Sequence, residues 1–234
     1  MPEKMLSVRH LNKQFASRRV VDDLSFEMHW NERTALVAPS GSGKTTLINI
    51  LSGLESFDNG QVTMNAAAPV TIFQEPRLFP FLTVEENIFL PFKVQAKQVT
   101  PDVRKSYQRW LDVCRLNGYT RHYPHQISGG MKQKVALIRG LLGTPRFVMM
   151  DEPFQSIDWV SKRAIIDHIL ENYPNTAFLF ATHQVEEIPE FAQTVLYIKT
   201  LCLKQVVKLD TSVFQTFQAR LELFTDHLAK ISTE

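Results

Sequence analysis

Apolar and polar residues alternate over residues 5–10 and again over 24–28, the period-two pattern of half-buried strands in an antiparallel sheet. A short apolar run at 34–37 predicts a third strand, entered through Asn31, a residue that tolerates the left-handed turn conformation. The period then changes. Leu47, Ile50, Leu51 and Leu54 fall at helical spacing and predict a helix over 44–54, so strand, glycine-rich loop and helix follow one another directly. Thr100 and Pro101 read as an N-cap and first-turn proline ahead of the stripe Val103, Tyr107, Trp110 and Cys114, with Gly118 expected to stop that helix. A further helix is expected from about Gly130, with Met131, Val135, Ile138 and Leu142 on one face. Two unbroken apolar runs, 147–150 and 178–181, read as fully buried strands, separated by a helix whose core face is Ile165, Ile166, Ile169 and Leu170. Strands alternating with helices predict a parallel sheet. The expectation is one α/β domain: a core from 1–75 and 141–210 with an antiparallel N-terminal sheet, a helical insertion over 76–140, and an amphipathic helix over 211–234.

Composition narrows the class. With 234 residues, 44% hydrophobic and 21% charged, the chain can bury a substantial core and is too apolar for a disordered tail. No apolar run reaches the roughly 18 residues needed to span a bilayer, and no charged-then-apolar leader is present, so a cytoplasmic chain is expected. Lys and Arg number 26 against 24 Asp and Glu, spread along the sequence without basic blocks, which leaves a weak electrostatic case for nucleic-acid binding, and no nucleic-acid partner is expected. Cys114 and Cys202 are too far apart and too isolated for a disulfide framework or a zinc site and are expected to be buried thiols.

The candidate chemistry begins at Ala38-Pro-Ser-Gly-Ser-Gly-Lys-Thr45, between predicted strand and predicted helix, which is the context a phosphate-binding loop requires. Gly41 and Gly43 let the loop curl so that backbone N–H groups around Ser40, Ser42 and Thr46 face an anion. Lys44 adds a mobile positive charge and Thr45 a hydroxyl for Mg²⁺. The pattern normally opens with glycine; Ala38 is acceptable there provided its φ stays negative. A triphosphate also needs a metal carboxylate and a group to activate water. Asp151 and Glu152, directly after a buried strand, are the candidates for these two roles.

Ile127-Ser-Gly-Gly-Met131, continuing into Lys132-Gln-Lys-Val-Ala-Leu-Ile-Arg139, looks like the signature sequence of ABC transporters, and with the motifs above the chain resembles their ATP-binding subunits over nearly its full length. The resemblance implies a P-loop NTPase core of ABC type with ATP and Mg²⁺ as ligands. It assigns Ser128, Gly129 and Gly130 to the γ-phosphate held by a partner copy, an assignment consistent with bare N–H groups at a helix start. It further assigns Gln74 to Mg²⁺ and the attacking water, Asp158 to the loop crossing a dimer interface, His183 to a switch reaching the γ-phosphate, and Phe15 to stacking on adenine. On sequence alone Phe15 is equally a core position. Met131, Gln155 and Gly140 depart from the usual residues, and Met131 together with the stretch Glu75-Pro-Arg-Leu-Phe-Pro-Phe-Leu is similar to importers for nitrate, taurine and aliphatic sulfonates.

The expected function is therefore an ATP-hydrolysing subunit of a binding-protein-dependent importer. It would pair with a second copy, sit peripherally on the inner face of the membrane against separate permease chains, and depend indirectly on a solute-binding protein. A soluble or regulatory ABC ATPase with weak hydrolysis is the alternative. Phe79, Phe81 and Leu82, among prolines, either pack the insertion or form a groove for a helix of the permease.

Overall fold

The computed structural model describes residues 4–66, 69–183, 191–204 and 206–210; the helix expected over 211–234 lies outside the described residues. β1 (Lys4–Phe15) and β2 (Arg18–His29) form an antiparallel hairpin, and β4 (Asn59–Met64) adds to β1 to complete a three-stranded sheet, order β2-β1-β4. The second sheet has six strands. β3 (Arg33–Val37), β5 (Val70–Ile72), β6 (Phe147–Asp151), β7 (Ala177–Thr182) and β8 (Thr194–Tyr197) run parallel, and β9 (Val207–Asp210) pairs antiparallel at the edge, in the order β5-β6-β7-β3-β8-β9.

Because successive side chains of a strand point to opposite faces, the apolar runs of β3, β6 and β7 feed two cores at once. Val37, Met150, Phe178 and Phe180 pack with α2 (Val84–Val94), α3 (Pro101–Cys114), α4 (Gly129–Leu141) and α5 (Trp159–Asn172) through Ile88, Trp110, Val135 and Ile165. Leu36, Met149, Leu179 and Ala181 pack on the other face against α1 (Lys44–Leu51) and the antiparallel sheet. The result is the mixed α/β fold expected from the sequence. Gly140 has a packing reason: a Cβ there would come within 3.0 Å of Ile72 and 3.1 Å of Val70, so glycine lets α4 lie close on β5.

Four expectations need correction. α1 ends at Leu51, not 54, because Gly53 at φ 75° closes a Schellman stop: its N–H bonds the Ile50 carbonyl at 3.0 Å, and the Leu54 N–H bonds that of Asn49 at 2.8 Å, leaving Leu54 61% exposed. α3 stops at Cys114, where Arg115 takes the left-handed conformation (φ 56°), and Gly118 falls in the following 3₁₀ turn. β1 and β2 run well past the alternating segments, since register shifts and positive φ at His10 and Asp23 break the period without ending the pairing. Cys114 is buried, which pushes its thiol up to about 12, but Cys202 is only half-buried.

α3 is tied to the end of α5 by polar contacts of Tyr173 inside the apolar layer. The Trp110 indole N–H donates to the Tyr173 hydroxyl at 2.8 Å, and that hydroxyl donates to the Leu141 carbonyl at 3.2 Å. Replacing Tyr173 by Phe strands the buried Trp110 N–H, while the Leu141 carbonyl keeps the Thr144 N–H at 2.9 Å, so Tyr173→Phe should cost about 1–3 kcal/mol in denaturant unfolding while ATP binding stays unchanged.

Candidate active site

Parallel strands deliver their loops to one edge. The phosphate loop follows β3, Gln74 lies two residues beyond β5, Asp151 and Glu152 close β6, and His183 follows β7. Together they line one cleft of about 630 Å³, whose walls include Phe15, Ser40, Gly41, Gly43, Lys44, Thr45, Thr46, Gln74, Asp151, Glu152 and His183. This is the carboxyl-end position at which open α/β sheets bind ligands.

The loop geometry needs its glycines. Gly41 and Gly43 sit at φ 74° and 105°, and a Cβ on Gly43 would lie 2.3 Å from the Val20 side chain. Ala38 is absent from the residues with positive φ, so its departure from glycine costs the loop nothing. Lys44 is buried and folds back on the loop, donating to the Ala38 carbonyl at 2.9 Å and to Pro39 at 3.2 Å. Burial lowers its pKa from the ordinary value, against the opposing pull of Glu152 and Asp151. A phosphate entering the cleft would supply the counter-charge that backbone carbonyls only partly provide.

Asp151 is 1% exposed, and its Oδ2 accepts the Thr45 hydroxyl at 2.6 Å. Burial raises its pKa, and the Glu152 charge adds to the rise. Its Oδ1 is buried without a partner. A hydroxyl and an orphaned carboxylate oxygen side by side suit a hard cation such as Mg²⁺, with Gln74 on the same cleft wall. Among the described residues no three His, Cys, Asp or Glu side chains converge, so the remaining ligands of such an ion would be water and phosphate oxygens. Glu152 takes positive φ (47°), its N–H bonds the Ala181 carbonyl at 2.9 Å, and its Oε1 lies 2.7 Å from His183 Nδ1. The candidate base is thus held between two strand ends and in contact with the histidine.

The residues around Ser128 line no part of this cleft. Ser128 caps α4 by accepting the Met131 N–H at 3.3 Å; it and Gly129 are exposed, with open space over Gly129. Gly130 is required by contact, since a Cβ there would meet the Ser156 carbonyl at 2.4 Å. Asp158 also lies away from the cleft: it caps α5, accepting the Ser161 N–H at 2.9 Å, and pairs with Lys134 Nζ at 3.5 Å. The Ser161 N–H bond is the main reason its pKa is held down at about 2. Ser42 is buried and its hydroxyl has no partner.

Three cleft residues were not expected. Arg18 donates to the Gly41 carbonyl at 2.7 Å, Val20 underlies Gly43, and Gln155 accepts from Gln74 Nε2 at 2.9 Å. The hairpin pairing Phe15 with Arg18 would have revealed the first, had the irregular strands been read to their ends. Phe15 itself is 43% exposed at the cleft mouth with Lys13 Nζ 4.6 Å from its ring centroid, so it is not a core residue.

Fold and cleft together define a phosphate-loop nucleoside triphosphatase. Residues 21–155 match the ABC transporter family model. The chain is 34% identical over 184 residues to the aliphatic sulfonates import ATP-binding protein SsuB of Bacillus anthracis, covering 75% of this chain and 72% of that protein. It is 31% identical to the spermidine/putrescine import ATP-binding protein PotA of Nitrosomonas eutropha, covering 86% and 59%. A solved ATP-binding subunit of an ABC transporter superposes with TM-score 0.80 at 23% identity, over 95% of this chain and 99% of that one. The chain belongs to the ABC transporter family, as one of its ATPase domains.

The burial of Asp151 has a measurable cost. Its raised pKa means that the fold penalises the ionised form, so the nucleotide-free protein loses stability as pH rises through that pKa. Asp151→Asn should remove this loss and raise nucleotide-free stability at neutral pH by about 1 kcal/mol in denaturant unfolding, while abolishing the gain in ATP affinity on adding Mg²⁺.

Proposed function

We propose that this ATPase powers a solute importer, working as one of two copies beneath separate membrane-spanning chains. One observation carries the pairing: the chain presents two anion-binding features that do not meet within it. One is the cleft around Lys44 and Thr45; the other is the exposed α4 start at Ser128 and Gly129. A second copy turned head to tail brings each helix start over the other's triphosphate. Phe15 would then stack on the nucleobase and Asp158 would lie along the shared surface.

Within the cleft, Lys44 and the loop N–H groups hold the phosphates. Glu152 takes a proton from the attacking water, and His183, already 2.7 Å from Glu152, is placed to share a proton or bond the γ-phosphate. Mg²⁺, bound by Thr45 and Asp151 beside Gln74, would screen the phosphate charge. Closure depends on contacts to the γ-phosphate, so its loss on hydrolysis favours reopening; this difference in affinity is what converts hydrolysis into motion.

The permease contact is supported by the segment before α2. Phe81 is 89% and Phe79 52% exposed, yet their loop is rigid: fully buried Asn87 accepts the Phe79 N–H at 2.8 Å and donates to the carbonyls of Phe79, Leu82 and Thr83 at 3.1, 2.9 and 3.0 Å. Aromatic rings held in water on a stapled loop suit a short amphipathic helix of a membrane subunit. Among the described residues no helix is long and apolar enough to cross a membrane, so this chain's contact with a bilayer would run through such a partner. The import names of SsuB and PotA support the direction of transport. The cargo is selected elsewhere.

Glu152→Gln should lower turnover by about 10²–10⁴-fold, leave ATP affinity intact and accumulate an ATP-bound pair of copies in size-exclusion chromatography. Wild-type turnover by this variant would refute the assignment. Phe81→Ala should release the chain from co-purifying membrane subunits without changing its fold or the ATPase rate of the isolated chain. Retention of the complex would assign the ring to other work.

A further inference from the structure

Gln155 departs from the usual residue of its motif, and the structure gives it a partner. Phe154, fully buried, and Ile157, 7% exposed, pin the turn after β6, so Gln155 between them is projected outward at the cleft rim. There its Oε1 accepts Gln74 Nε2 at 2.9 Å. The backbone around Gln74 is held separately by α4: Gln133 Nε2 donates to the Phe73 carbonyl at 3.4 Å, and Arg139 donates to Pro76 at 2.8 Å and to Arg77 at 3.0 Å. The loop is therefore anchored by one helix while its functional side chain is anchored by the turn that follows Asp151 and Glu152.

That division matters because an amide is two-faced. A free glutamine presents either its oxygen or its NH₂ to the cleft, and only the oxygen can serve a cation. In the hydrogen bond as formed, Gln74 turns its Nε2 to Gln155, which leaves its oxygen as the amide atom for the cleft that Thr45 and Asp151 also line. We propose that Gln155 is a positioning residue for ATP hydrolysis, orienting the Gln74 amide so that its oxygen serves the metal-bearing end of the cleft. The inference rests on the ATP-hydrolysing reading above and deepens it.

The test compares Gln155→Met, which keeps length and removes the acceptor, with Gln155→Glu, which keeps the acceptor and cannot donate. Equilibrium ATP binding is measured in Mg²⁺ and in EDTA, alongside steady-state hydrolysis. For Gln155→Met, kcat and the affinity gained on adding Mg²⁺ should each fall about tenfold, the lower end of outer-shell effects at metal sites, with binding in EDTA within about twofold of wild type. Gln155→Glu should retain the Mg²⁺ gain to within about threefold. The proposal fails if Gln155→Met matches wild type in both measures, if it loses affinity equally in EDTA, or if Gln155→Glu falls as far as Gln155→Met. Wild-type protein that bound no ATP in either medium would remove the ATPase reading itself, a result distinct from any of these.

Discussion

Because β3, β5, β6 and β7 run parallel, their carboxyl ends lie along one edge, and each strand turns there into a residue that lines the cleft. Parallel pairing in turn demands cover on both faces, since neither side of such a sheet can be left to water. The alternation of side chains in β6 shows how one short sequence meets that demand. Val148 and Met150 face the helices, Phe147 and Met149 face α1 and the antiparallel sheet, and Asp151 is carried to the end of the strand with no exposed surface to solvate it. The two cores are thus what bury the Asp151 carboxylate, and the same packing that stabilises the sheet sets the electrostatics of the cleft.

Those electrostatics place cost before ligand. Lys44 and Asp151 are both buried, burial disfavours the charged form of each, and neither is paired with the other by a direct hydrogen bond among the described contacts. Lys44 bonds backbone carbonyls, and one oxygen of Asp151 bonds nothing. A triphosphate with its cation would supply an anion to the first and a charge partner to the second, so that desolvation already borne by the fold would become selectivity for that ligand. The backbone bears a share as well: Gly41, Gly43 and Glu152 all hold positive φ around the cleft, and only the last is a residue for which that conformation is strained.

What was legible in the sequence follows from how locally each feature is determined. The phosphate loop, Asp151 and Glu152 could be read because their chemistry depends on neighbours within a few residues and on an adjoining apolar strand. Helix starts were readable for the same reason at Thr100 and Ser128, each of which accepts an N–H three residues on, whereas the Asp158 cap of α5 was not read. The extent of β1 and β2 was not, because bulges at several points of the pairing erase the period-two signal while the hydrogen bonds continue. β4, β5, β8 and β9 were missed outright, β4 and β9 being too exposed to carry an apolar pattern. Arg18 and Gln155 reach the cleft through tertiary placement, one across a hairpin and one across two loop ends, which no local pattern records.

The same placement joins features that the sequence keeps far apart. α4 begins with the Ser128 cap, abuts the Ser156 carbonyl through Gly130, reaches Ser161 and Asp158 through buried Lys134 at 2.7 and 3.5 Å, and holds the flanks of Gln74 through Gln133 and Arg139. One helix therefore contacts the turn after β6 at one end and the loop bearing Gln74 along its length. Were a ligand in the cleft to shift Gln74 relative to Asp151, α4 could not stay in place without breaking bonds at both. The exposed helix start at Ser128 would then follow the occupancy of a cleft it does not touch, which is what a pair of copies exchanging triphosphate contacts would need.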